Sequence, residues 1–329
     1  MPFVDMLLQS SIESPLTFLL AGSAFLLLLR SIYRLAFHPL AHIPGPLLPK
    51  LTHLWLYYHA YIGDEATTIH KTHQRYGPYV RVSPNEVDIS DGDAIIPIYV
   101  TKGGFPKAPC YANFDIDGHK TLFSTTEMEY RAPRAKAVVS MFSTKSIRDN
   151  LPALYGCVDN MVERLEKEAS TGRPVNLLNL SRALAIDAVS THLFQQNYDG
   201  TSEKGGKLSV SAFVDAFVAV GRFFYLPNLV FVWMEWAIEK FFSDEHTDVS
   251  MEIVDKFVAD LVDSTPEGAQ NYPGRLMALG LDRSEVKCQC KDLIFAGTDS
   301  VSARFFIVVV SLVTVQQLTA YLLSIANAL

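Results

Sequence analysis

KDLIFAGTDSVS, Lys291–Ser302, is the stretch on which the fold turns. Leu293, Ile294 and Phe295 make a short apolar run, Ala296 and Gly297 are small, and an acid (Asp299) and a hydroxyl (Ser300) follow. Two readings compete. In one, Thr298, Asp299 or Ser300 caps a helix that begins at Val301, since short oxygen-bearing side chains accept from the free N–H groups of a first turn. In the other, it is a catalytic turn whose acid and hydroxyl handle protons.

Composition narrows the class before any motif does. The chain has 329 residues, 49% of them hydrophobic, enough for one large domain or two ordinary ones. A net charge of −7 makes a nucleic-acid partner a poor expectation. Four cysteines (Cys110, Cys157, Cys288 and Cys290) form no disulfide framework, and Cys-x-Cys is not zinc-finger spacing.

Ser14–Leu29 carries no charge, and Leu16–Leu29 within it is nearly all apolar. As a helix, it reaches about 24 Å, slightly short of a bilayer core. Ile32, Tyr33, Leu35 and Phe37 extend it, with Arg30 and Arg34 able to snorkel. The leading charges are acidic and the basic ones follow the span, the pattern of an uncleaved anchor with its domain in the cytosol rather than a signal peptide. HPLAHIPGP, His38–Pro46, is then a stiff non-helical linker.

A helix rich in His and Tyr is predicted up to Tyr76-Gly77-Pro78. YVRVSPNEVDIS alternates twice around Ser83-Pro84-Asn85-Glu86, which predicts a small β-hairpin. Leu151, Leu154, Val158, Met161 and Leu165 recur at helical spacing, ended by Gly172 and Pro174. Ser181–Phe194 and Met251–Ser264 fit further helices. Pro227 divides the aromatic-rich segment 212–242 into two helices, read either as core or as a greasy channel or second membrane contact. Arg131, Arg134, Lys136, Lys145 and Arg148 fall within 18 residues, a basic segment in an acidic chain.

Taken in order, the anchor, HPLAHIPGP, RYGPYVRVSPNEVDIS, the basic helix and AGTDS resemble a microsomal cytochrome P-450, especially the fungal class. The resemblance covers roughly residues 31–302. It implies a mainly α fold with a small β-sheet, the amino-terminal part of the cytochrome P-450 fold preceded by a transmembrane helix. The implied organisation is an anchor over 1–37, a proline-rich hinge over 38–50 and an incomplete domain over 51–329. It further implies haem as cofactor, NADPH-cytochrome reductase and the membrane as partners, and a hydrophobic small molecule, in fungal secondary metabolism, as substrate. The implied location is the endoplasmic reticulum membrane, with the domain facing the cytosol. By resemblance, Tyr130 and Arg134 fall in the aromatic-x-x-x-Arg pattern that holds a haem propionate, with Tyr where Trp or His is usual and with Pro133 between. Four-residue spacing puts both on one helical face. Ala296 and Gly297 take the close-approach positions, and Asp299 and Ser300 the relay.

The resemblance stops after AGTDS. Neither Glu-x-x-Arg nor the loop Phe-x-x-Gly-x-Arg-x-Cys-x-Gly occurs in these residues, so no metal ligand can be assigned to a cysteine here. Phe305–Leu329 is an uncharged run of 25 residues, read as a divergent helix end, a read-through or a tail anchor. The expectation is therefore a truncated and inactive monooxygenase. The alternative is a non-catalytic, membrane-anchored helical remnant that binds a hydrophobic ligand or partner.

Overall fold

The structure is a computed structural model and describes residues 15–101, 105–172, 174–204, 208–242 and 245–326. It divides into two compact units, with the boundary between Phe105 and Pro106.

The first unit begins with α1 (Pro15–Ile32), continued by one wider turn, Tyr33–Phe37. Over Thr17–Phe37 the mean hydropathy is 1.6 and nothing is buried, so this helix is long and apolar enough to cross a membrane. The segment His38–Pro46 is non-helical, as its prolines require, and leads into the short α2 (Leu47–Leu51). The predicted His/Tyr helix is two helices, α3 (Leu54–Ile62) and α4 (Glu65–Tyr76). The break falls at Gly63, whose φ of 80° ends α3 in a left-handed cap.

The hairpin forms around the predicted turn, with an irregularity in register between Arg81 and Ser83. β1 (Tyr79–Ser83) pairs antiparallel with β2 (Glu86–Ile89), Tyr79 opposite Ile89. Val80 and Val82 are buried, but so is Arg81 between them. Its guanidinium donates to the carbonyls of Pro84, Arg34 and Leu40. The Arg81 N–H donates to the Pro44 carbonyl at 2.8 Å, so the hinge lies along β1 like a further strand. Gly45 makes this approach possible: a Cβ there would sit 2.7 Å from the Arg81 carbonyl oxygen.

The second unit is helical among its described residues. α5 (Met128–Val138) continues through Pro133. α6 (Thr144–Asp149) and α7 (Leu151–Ser170) follow, then α8 (Leu177–Val189), which starts four residues earlier than predicted because the Asn176 side chain caps it. A wider turn, Ser190–Phe194, completes the predicted helix to Phe194. On α7 the buried residues are Cys157 and Met161, whereas Leu151 and Val158 are exposed, so the apolar stripe is narrower than its periodicity suggested. α9 (Ser209–Gly221) and α10 (Asn228–Phe242) flank Pro227 as predicted. α11 (Glu245–Ser264), α12 (Tyr272–Met277) and α13 (Arg283–Ala326) complete the unit.

The core joins Ile186 and Phe194 to Phe213, Val258, Leu276 and Ile294. The aromatic-rich segment is core in part. Phe213 and Phe231 are core, whereas Trp233 and Trp236 are exposed. α13 packs mainly along α8.

Candidate functional site

AGTDS does not cap a helix start. α13 begins at Arg283, and Asp282 Oδ1 accepts from the Glu285 N–H at 2.8 Å, so the cap is at Asp282. Ala296–Ser300 lies well inside a continuous α-helix, with no local bulge in its ladder.

The two sides of this segment differ. Ile294, Thr298 and Ser302 are buried. Gly297 faces α8 so closely that a Cβ would meet Val189 Cγ2 at 2.7 Å. Glycine here therefore serves helix-to-helix packing. Ala296 and Ser300 lie on another side and are exposed, and the exposed stripe continues through Ala303, Arg304 and Ile307. Spacings of four, three or four, and seven residues put these on one helical face. Arg304, four residues after Ser300 on the same face, is exposed. The Ser300 hydroxyl donates to the Ala296 carbonyl at 2.6 Å, so its hydrogen is used within the helix. The Thr298 hydroxyl is buried without a partner.

Asp299 is only partly buried. Its Oδ1 lies 3.6 Å from Nη2 of Arg182, beyond hydrogen-bond length, while Nη1 of the same arginine meets Asp215 Oδ1 at 2.8 Å. Arg182 is itself buried on α8, and its Nε has no partner. Sequence reasoning passed over Arg182. The signal for it was the single cation in the mostly apolar LLNLSRALAIDAV.

Tyr130 and Arg134 do come together. The Arg134 guanidinium lies 3.6 Å from the Tyr130 ring centroid, a cation–π contact. Both groups converge on Glu285: the Tyr130 hydroxyl at 2.5 Å, Arg134 Nε at 2.9 Å and Nη2 at 2.7 Å. Burial and the Glu285 carboxylate push the Tyr130 phenol far above its ordinary pKa. The pair predicted to grip a propionate thus grips a carboxylate of its own chain. No local signal pointed to Glu285, which lies 151 residues from Arg134 in sequence.

Further along α13, Lys291 bridges Asp117 at 2.6 Å and Asp255 at 2.7 Å. Asp292 is buried, and burial pushes its carboxyl up to about 6.

The cysteines decide whether these residues fit an iron-thiolate haem site. Cys157, Cys288 and Cys290 are buried, and burial raises all three thiols, Cys288 to about 11. Burial of this kind disfavours a free thiolate, the form that an axial ligand takes. Cys110 is half-buried on a 3-10 turn, Pro109–Phe114. The four cysteines do not complete a haem-thiolate site.

The family model described as "Cytochrome P450" matches residues 44–322. Cytochrome P450 monooxygenase mfmF of Annulohypoxylon moriforme is 33% identical over 310 residues, covering 88% of this chain and 63% of that protein. Monooxygenase tazI of Aspergillus terreus is 34% identical over 185 residues, 56% of this chain and 38% of the relative. Monooxygenase cpaH of Aspergillus oryzae is 26% identical over 306 residues, 86% and 56%. The chain thus spans less than two thirds of the length of these relatives.

Proposed function

This chain belongs to the cytochrome P450 family, and on that premise we propose that it forms the distal, oxygen-facing part of a fungal haem-thiolate monooxygenase. The parental reaction is NADPH- and O2-dependent oxidation of a hydrophobic small molecule in secondary metabolism. NADPH-cytochrome reductase is the electron donor. The endoplasmic reticulum membrane holds residues 1–37, followed by the hinge at 38–50 and the domain over 51–329. Asp299 and Ser300 are assigned proton handling, Ala296 and Gly297 the close approach of the helix, and Tyr130 and Arg134 the anchoring of a carboxylate.

One observation supports this reading above the others. Ala296 and Ser300 lie mid-helix on a stripe that no described residue covers, beside the tight packing of Gly297 against Val189 that holds the helix in place. A helix so fixed on one side and bare on the other suits a flat apolar group. Haem supplies oxygen binding and activation in this family, but these residues furnish no axial thiolate, so no oxygen step is derived from them. Residues 1–329 alone are accordingly inactive.

The test is a reduced-plus-carbon-monoxide difference spectrum. Residues 1–329 should give no thiolate-type band. The same residues continued by a relative's segment with Glu-x-x-Arg and the cysteine loop should give one. A thiolate band from residues 1–329 alone overturns the inactivity. The non-enzymatic reading, a membrane-anchored binder of a hydrophobic ligand, is favoured by an open cleft between α9, α10 and α11.

A further inference from the structure

The cleft between α9, α10 and α11 has a volume of about 1360 Å³ and includes no α13 residue among those lining it. It is therefore separate from the Ala296–Ser300 stripe. Its apolar lining comes from Ala216, Phe223, Phe231, Trp236 and Met251. Its polar lining is one-sided in charge: seven residues, Asp115, Asp117, Asp215, Glu235, Asp248, Glu252 and Asp255, are acidic, and none is lysine or arginine.

Three of these acids are already matched. Lys291 holds Asp117 and Asp255, and Arg182 holds Asp215. Asp115, Asp248 and Glu252 form no ion pair with another described residue. A second observation points into the same cleft. Ser211 lines it, is 5% exposed, and has a buried hydroxyl without a partner. Buried hydroxyls are normally satisfied, so one left bare beside a cavity marks where a ligand's polar group fits. Asp115, Asp248 and Glu252, the acids left without an ion pair, favour a cation, and the apolar floor favours a large apolar body.

We propose that this cleft binds an organic cation: a hydrophobic amine whose ammonium meets the Asp248 and Glu252 carboxylates and whose apolar body lies on Phe223, Phe231 and Trp236. This inference needs neither haem nor oxygen, so it stands or falls apart from the carbon monoxide experiment.

Dansylcadaverine is the probe, with a primary ammonium on a fluorescent apolar body. The comparator is the same body with an n-pentyl chain in place of the aminopentyl chain. Both are titrated into the full chain in lipid nanodiscs, with empty nanodiscs subtracted. The amine should bind saturably and more tightly than the neutral comparator. The double variant Asp248→Asn, Glu252→Gln should weaken the amine about five- to tenfold, within the range of two partly screened ion pairs. It should leave the comparator unchanged, which also shows that the cleft is still folded. Equal binding of amine and comparator overturns the proposal. So does an amine affinity that the double variant leaves unaltered, or the absence of saturable binding.

Discussion

The hinge–hairpin contact and the middle of α13 carry the two most informative phrases of the sequence, yet they are built differently. Around the hairpin the chain closes on itself. Pro44 accepts from the β1 backbone, Gly45 leaves no room for a side chain, and Arg81 spends its guanidinium on three carbonyls. In α13 only one side is closed, by Gly297 against Val189, while Ala296 and Ser300 face outward. A motif whose backbone and polar groups are spent on its own chain is structural. A motif enclosed on one side has a structural half and a half reserved for something else. Substitutions distinguish the two, because close-packed interiors resist added atoms and open faces do not.

The largest effect belongs to the hinge. Gly45 has φ of 153° and its Cβ position lies 2.7 Å from a backbone oxygen that cannot rotate away. Gly45→Ala should cost about 3 kcal/mol, combining overpacking with backbone strain. Urea unfolding of the full chain in detergent measures it. A loss below about 0.5 kcal/mol would mean the hinge is not seated on β1.

Next comes Asp292, in the closed amino-terminal part of α13. Its folded pKa of about 6 lies above its ordinary 3.8, so the folded state holds this proton more tightly. Stability from this group therefore falls as pH rises from about 4 to 6, and the penalty stands in full above 6. A shift of this size converts to at most about 3 kcal/mol. Asp292→Asn removes the titration and keeps an acceptor for the Phe123 N–H. At pH 7 the variant should be about 2 kcal/mol more stable than the parent, and near pH 4 the two should coincide. Unfolding at both pH values checks the sign, and a variant less stable at pH 7 reverses the assignment.

The α13 comparison itself is tested by neighbours. Gly297→Ala should cost about 1–2 kcal/mol, because the stiff Val189 side chain must shift while alanine's helix preference offsets part of the loss. Ala296→Val, one residue earlier but on the exposed face, should change stability by less than about 0.5 kcal/mol. Equal costs at the two positions would erase the distinction between closed and open sides.

Legibility in the sequence followed the range of the interactions. The hairpin, the hinge, the split at Pro227 and the family were all readable from contiguous phrases, since turn chemistry and period-2 alternation act locally. The break at Gly63, followed by Asp64, was equally local and was still missed. What was not readable spans long separations. Glu285 reaches Tyr130 and Arg134 across more than 150 residues, and Val189 decides why Gly297 is glycine. The spacing of Tyr130 and Arg134 predicted a shared face, and they share one, but spacing says nothing about which carboxylate arrives there.

That carboxylate allows the subtlest test. The Tyr130 hydroxyl has one hydrogen and two acceptors within reach, Glu285 Oε1 at 2.5 Å and the Lys120 carbonyl at 2.6 Å, while Gln289 Nε2 donates to it from 3.3 Å. One hydrogen cannot serve both acceptors, so the phenol is crowded rather than ideally placed. Arg134 still holds Glu285 when the phenol is removed. Tyr130→Phe should therefore cost only about 0.5–1 kcal/mol, near the net worth of one hydrogen bond. A double-mutant cycle with Glu285→Gln isolates the pair, and a coupling of about 0.5 kcal/mol is expected. A coupling near zero would mean that Arg134 alone anchors Glu285. The arginine would then be the single residue whose release frees this face for another carboxylate.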